Sequence, residues 1–261
     1  MVLKIKEKGT MEMSRTIAIS NQKGGCGKTT TCINLAAGLT ARGKKVLLID
    51  GDPQATLTKA HQVRVNKTAT AYDFILARTE ARVKITEKLD LIPGSLKLNQ
   101  LTSELGADPE GSVYLKNALD EIKSEYDYVI IDCPPQTSIL ANNCYAASDE
   151  IIIPVNPGTY SLEGIVILKN QLDKITKYFQ QDLRVSGILL TNIDKNTNAA
   201  KDIISLAAEA ANRLDTKCYE TIIPHSTVVN DAQQHHQSLL QYKKSHKVTK
   251  AYEAFVEEVL Q

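Results

Sequence analysis

Apolar residues along this chain come in two rhythms, and their alternation sets out the expected fold. Short uninterrupted runs, Thr16-Ile17-Ala18-Ile19, Val46-Leu47-Leu48-Ile49, Tyr128-Val129-Ile130-Ile131 and Glu150-Ile151-Ile152-Ile153-Pro154-Val155, have the character of strands buried on both faces. Further strands are predicted over Leu89–Gly94, at a sheet edge, and over Arg184–Asn192 and Tyr219–Ile223. Between the strands, apolar positions recur at helical spacing. One such stretch follows residue 31 and stops near Arg42-Gly43, where glycine suits a C-cap. Others cover Ala55–Val83, with Tyr72–Leu76 as the packing face, Leu96–Leu105, Val113–Ile122, Tyr160–Tyr178, Asn198–Arg213 and Ala251–Leu260. Gly106–Gly111 is a loop. Strand and helix in alternation predict an α/β fold, a mostly parallel twisted sheet with helices on both faces. Neither repeat nor linker divides the pattern, so one domain is expected over residues 15–261, after a charged, aperiodic tail over residues 1–14.

Composition narrows the class without naming a function. With 261 residues and 43% apolar content, the chain can bury a sheet without a disulfide framework. Five cysteines, with no C-x-x-C pair, fit a reducing cytosol and argue against a cysteine-rich zinc module. No apolar run is long enough to cross a bilayer and no signal-peptide pattern opens the chain, so a cytoplasmic protein is expected. A net charge of +1 leaves any DNA contact to a local patch.

The chemistry concentrates in Ser20-Asn21-Gln22-Lys23-Gly24-Gly25-Cys26-Gly27-Lys28-Thr29-Thr30-Thr31. A strand, a glycine-rich turn and a helix start are the context of a phosphate-binding loop, which makes the expected fold a single-domain P-loop NTPase. The backbone N–H groups of Gly24, Gly25, Cys26 and Gly27 can wrap a polyphosphate, and the helix start adds partial positive charge. Lys28 would reach the β- and γ-phosphates and the Thr29 hydroxyl would ligate Mg²⁺, with Thr30 beside it. ATP and Mg²⁺ are therefore the expected ligands. The loop departs from the usual pattern at its first glycine, which is Gln22, and adds a second lysine, Lys23.

Two acidic strand ends complete the set. Val46–Ile49 runs into Asp50-Gly51-Asp52-Pro53-Gln54, whose carboxylates are placed to hold Mg²⁺ or orient water; a turn capped by aspartates is the bland alternative. Tyr128–Ile131 runs into Asp132-Cys133-Pro134-Pro135, a buried strand delivering one carboxylate to a metal. Cys133 reads as a small residue beside the strand rather than a redox centre.

Taken together, K-G-G-x-G-K-T-T, D-x-D-P-Q and D-C-P-P in this order resemble the ParA/Soj family of partition ATPases, in the deviant Walker superfamily. The resemblance covers Arg15 to Leu260 and is of the short type, without an N-terminal DNA-reading extension. It implies that Lys23 crosses a homodimer interface to the partner's nucleotide, that Asp52 serves the attacking water with Asp50 in support, and that Asp132 holds Mg²⁺. It also places Asn192 and the chain around Ile223-Pro224 near the adenine. The implied function is an ATP-dependent homodimer that binds nonspecific DNA on the nucleoid and is released when a ParB-like centromere-binding partner stimulates slow hydrolysis.

The departures lie on the DNA side. His225 stands where many relatives have arginine, Asp194-Lys195-Asn196-Thr197-Asn198 replaces D-x-R-T-N, and Lys243-Lys244 replaces an aspartate–proline pair. Lys195, Lys243, Lys244, Lys247 and Lys250 are the replacement DNA contacts. The rival within the superfamily is a membrane-cycling positioning ATPase of the MinD type, disfavoured because the terminal helix carries Glu253, Glu257 and Glu258. Metal-delivery and small-molecule ligase ATPases are more distant alternatives.

Overall fold

The computed structural model describes residues 14–108, 110–157, 162–179 and 182–261. The tail before Ser14, position 109 of the predicted loop and the start of the helix predicted from Tyr160 lie outside the described residues. In chain order the strands are β1 (Arg15–Ile19), β2 (Val46–Asp50), β3 (Val83–Thr86), β4 (Leu89–Ile92), β5 (Tyr128–Asp132), β6 (Glu150–Val155), β7 (Arg184–Ile193) and β8 (Cys218–Pro224). The helices are α1 (Lys28–Ala41), α2 (Thr56–Ala60), α3 (Ala71–Ala77), α4 (Leu101–Leu105), α5 (Tyr114–Asp120), α6 (Ile139–Ala146), α7 (Leu162–Phe179), α8 (Asn198–Arg213), α9 (Val228–Gln234), α10 (Leu239–Tyr242) and α11 (Lys247–Leu260).

These strands form one sheet in the order β3-β4-β2-β5-β1-β6-β7-β8, parallel at every pairing except β3 with β4. Alternate residues of each strand feed opposite cores, as the two-residue period of a strand requires. Ile17, Ile19, Leu48 and Ile130 pack with Leu35, Leu39, Phe255 and Val256 of α1 and α11. Ala18, Leu47, Val129 and Ile131 pack on the other side with Phe74, Leu101, Leu119 and Tyr145. Each fully buried Leu or Ile contributes about 1.5–3 kcal/mol over leaving it exposed, so the central strands anchor the domain. Helices α1 and α11 approach closely because position 38 is glycine: a Cβ there would lie 2.5 Å from Val256 Cγ2.

The structure corrects the prediction in four places. Ala55–Val83 is not one helix but α2, a single 3-10 turn at Val65–Lys67 and α3, and its last residue opens β3. Four alternating residues in β3 pair back on β4, so β3 and not β4 holds the sheet edge. The residues read as one helix over 96–105 are a 3-10 stretch, Leu96–Gln100, followed by α4. The terminal helix starts earlier than expected, at Lys247, which puts Lys247 and Lys250 on α11 rather than ahead of it.

β1 lies between β5 and β6, while the chain passes from β1 to β2 on one side and from β5 across to β6 on the other. Such a reversal opens a crevice at the carboxyl ends of the strands, where α/β folds bind ligands.

Candidate functional site

The loop between β1 and α1 opens onto that crevice, a cleft of about 530 Å³. Gly25 (φ 76°) and Gly27 (φ 94°) take left-handed backbone, which glycine adopts without the penalty of a side chain. Gly27 caps α1, so the unpaired N–H groups of the first helical turn face the cleft lined by Gly24–Thr30. The loop is braced from neighbouring strands. Asn156, just past β6, donates from Nδ2 to Gly25 O (2.8 Å), and Thr191 Oγ1 on β7 donates to Cys26 O (2.8 Å). Asn21 Nδ2 donates to Pro154 O (2.8 Å), and Cys26 Sγ to Lys23 O (3.3 Å). With its carbonyls tied back, the loop keeps its N–H groups free for an anion.

The two loop lysines have different surroundings. Lys28 is buried, and its ammonium donates to Lys23 O at 3.3 Å. Lys23 itself is exposed at the rim. Gln22, at the departure from the usual motif, donates to Thr137 Oγ1 (3.2 Å) in the loop after β5, and Thr137 donates to Gln171 Oε1 on α7 (3.4 Å).

Asp50 and Asp132 stand side by side in register at the ends of β2 and β5, both buried. Thr29 Oγ1 donates to Asp132 Oδ2 at 2.6 Å, while Asp132 Oδ1, also buried, has no hydrogen-bond partner among the described residues. Burial, and then the Asp50 charge, push the Asp132 carboxyl well above the usual carboxylate range, against the pull of Thr29 and Lys28. Asp50 is raised too, chiefly by burial, but Thr58 donates to its Oδ2 through both N–H (2.8 Å) and Oγ1 (2.6 Å). Asp52 is half-buried, lines the cleft and accepts Gln54 N–H on Oδ1 at 2.8 Å.

A divalent cation fits these residues. An orphaned carboxylate oxygen in a dry setting, next to a hydroxyl and a helix N-terminus, lacks one thing, a positive charge. Thr29 and Asp132 could hold it, with Asp52 within the same cleft.

Asn192 and Pro224 line this cleft as well, beside Ile223 and Val229. The proposed DNA lysines do not gather at it. Lys195 sits after β7, Lys243 and Lys244 between α10 and α11, and Lys247 and Lys250 on α11; all are exposed. Lys250 is engaged by Glu253 at 2.7 Å. The acidic residues of α11 are engaged too: Glu257 pairs with Arg42, and Glu258 accepts the Glu220 and Thr221 N–H groups at 2.8 Å each.

Sequence reasoning missed Asn156 and Thr191, the braces of the loop, and Gln233, whose Nε2 donates to Thr30 Oγ1 at 2.9 Å. For the first two a signal existed, since both sit at or just past the carboxyl end of a buried parallel strand. Gln233 gave none, because a glutamine in a short polar helix is ordinary.

A profile described as an AAA domain matches residues 14–185. The chain is 36% identical to the sporulation initiation inhibitor protein Soj of Bacillus subtilis, over 95% of this chain and 98% of that one. It is 32% identical, with the same coverage, to the chromosome-partitioning ATPase Soj of Treponema pallidum. This chain belongs to the ParA/Soj family of partition ATPases. Among solved structures, the Mycobacterium smegmatis cobyrinic acid a,c-diamide synthase with bound ATP analog and magnesium superposes with a TM-score of 0.79 at 28% identity, over 95% of each chain. Being a ParA/Soj ATPase, the chain has its loop, its D-x-D-P-Q turn and its D-C-P-P turn around one cleft, as the family motifs require.

Proposed function

We infer that this ParA/Soj ATPase hydrolyses ATP with Mg²⁺ in the cleft described above and serves chromosome or plasmid partition as a nucleotide-switched dimer. Residues 15–261 form the ATPase unit, and residues 1–14 are an appendage to it. The loop amides of Gly24, Gly25, Cys26 and Gly27 and the Lys28 ammonium hold the phosphates; Lys28 leaves Lys23 O to do so. Thr29, Asp132 and Asp52 would hold Mg²⁺, which would supply positive charge for the phosphates beside the otherwise unpaired Asp132 oxygen. Asp52 orients the attacking water, and Asp50 keeps the turn in place. Asn192 and Pro224 face the adenine.

The observation that carries the dimer reading is the exposed Lys23 at the rim of the loop, its backbone engaged and its ammonium without a hydrogen bond or ion pair among the described residues. A two-fold contact of two such rims sets each Lys23 against the other copy's phosphates, and the interface is self-complementary. The dimer then carries two copies of the weak basic surface around Lys195, Lys243, Lys244 and Lys247, with Lys250 available when it leaves Glu253. Two linked patches hold nonspecific DNA far better than one through effective concentration. A ParB-like partner releases the dimer by stimulating hydrolysis, and the Gln22–Thr137–Gln171 hydrogen bonds tie the loop to α7 for such a signal. Among the described residues no helix is long and apolar enough to cross a membrane. The apolar face of α11 is buried against β8 and α1, so it is not a free anchor of the MinD kind.

Sizing in Mg²⁺ and a nonhydrolysable ATP analogue tests this reading. Wild type should run as a dimer that shifts nonspecific duplex DNA, with affinity falling steeply as salt rises. Lys23→Ala should bind nucleotide and remain a single chain; a Lys23→Ala protein that dimerises normally rejects the crossing role.

A further inference from the structure

Where β7 and β8 close the cleft, the structure holds a side-chain pair that phosphate binding and hydrolysis do not use. Asn192 sits one residue before the end of β7 with φ +56°, a left-handed backbone that asparagine tolerates better than most residues. Its neighbour Ile193 is in register with Pro224, and the His225 N–H donates to Ile193 O at 3.0 Å. The backbone thereby brings the two side chains together, with His225 Nδ1 2.8 Å from Asn192 Oδ1. An amide oxygen only accepts, so His225 Nδ1 carries the hydrogen. With its oxygen turned to the imidazole, the Asn192 amide presents its N–H donors to a ligand. Both residues line the cleft next to Ile223, Pro224 and Val229, whose apolar surfaces suit a flat ring.

We propose that His225 is the positioning residue for base recognition: it holds the Asn192 amide with its oxygen turned to the imidazole, so that the amide donates to a lone pair on a purine ring nitrogen. This rests on the reading above that Asn192 faces the base. Without His225 the amide is free to flip and offer oxygen instead, which suits an exocyclic amino group and repels a ring lone pair. A site built to donate rejects a base in which C–H replaces that nitrogen, because the donor covered by the base is left unpaired.

ADP and its 1-, 3- and 7-deaza analogues, titrated with Mg²⁺ by calorimetry, test the proposal; lacking a γ-phosphate, they report on a single chain. Wild type should bind one analogue about tenfold more weakly than ADP. Asn192→Gly, which suits the left-handed backbone and removes the amide, should bring that ratio close to one. His225→Ala should do the same, and His225→Asn, which returns a donor at the Nδ1 position, should restore it. A ratio that survives in Asn192→Gly, or no discrimination by wild type, overturns the base contact and the proposal with it. A ratio lost in Asn192→Gly but kept in His225→Ala overturns the positioning role alone.

Discussion

Asp50 and Asp132 occupy matched positions on neighbouring strands, equally buried, and the protein treats them in opposite ways. Asp50 accepts from Thr58 twice and from Asp52 N–H at 3.3 Å, so its charge is spread over donors supplied by the turn that follows it. Asp132 has one hydroxyl donor, Thr29, with the Cys32 thiol beside it, and an oxygen left without a partner among the described residues. A buried carboxylate saturated by protein donors is part of the scaffold, whereas one left half-dressed is unstable until a cation arrives. The same residue type at the same height in the sheet is thus saturated by protein donors in one strand and left open to a cation in the next. What separates them is the loop that follows each strand. One is a turn leading into α2, whose N–H groups reach back; the other is Cys133-Pro134-Pro135, where two prolines have no N–H to give.

The sharpest way to break the contrast is Asp132→Asn. Hydrolysis measured at saturating ATP should fall about 10²- to 10³-fold, while the nucleotide-free protein should melt at a higher temperature at neutral pH because folding no longer has to protonate a buried carboxylate. Asp50→Ala should do the reverse. It strands the Thr58 N–H and hydroxyl, and urea unfolding should show a loss of about 3 kcal/mol. Removal of Mg²⁺ should expose the contrast as a pH effect. Asp132, pushed up to about 8, is easier to protonate folded than unfolded, so its contribution is present at low pH and lost as pH climbs through that value. The chelated, nucleotide-free protein should lose about 4 kcal/mol of stability between about pH 5 and about pH 8, and Asp132→Asn should flatten the curve. The smallest effect belongs to Thr58→Val, which removes the hydroxyl that donates to Asp50 (2.6 Å) and accepts Gly94 N–H (2.8 Å). A cost of about 1 kcal/mol in urea unfolding is expected; a neutral result would mean that Asp50 does not depend on its donors.

The phosphate loop, β2 and β5 were legible because each is a contiguous signal: an apolar run leading directly into glycines or a carboxylate at the cleft. The stop of α1 was legible as well, since Gly43 takes φ 87° just past the helix. The stretch over Ala55–Val83 was not. Its apolar residues serve three short elements in turn, and β3 exists as a strand only because β4 lies beside it. The start of α11 was misplaced because Lys247 carries no apolar signal, whereas Val248 and Thr249 are buried against the body of the protein.

Local chemistry in the sequence determined the class of fold, the nucleotide loop and the acidic strand ends, because each depends on residues adjacent in the chain and on periods of two or 3.6. Tertiary structure decided which carboxylate is clothed, which strands brace the loop and which residues of β7 and β8 line the cleft. Asn156, Thr191 and Gln233 reach the loop from sequence separations of 131, 165 and 203 residues. Only the order of strands in the sheet converts such distances into hydrogen bonds, and strand order is a property of packing that no local pattern encodes.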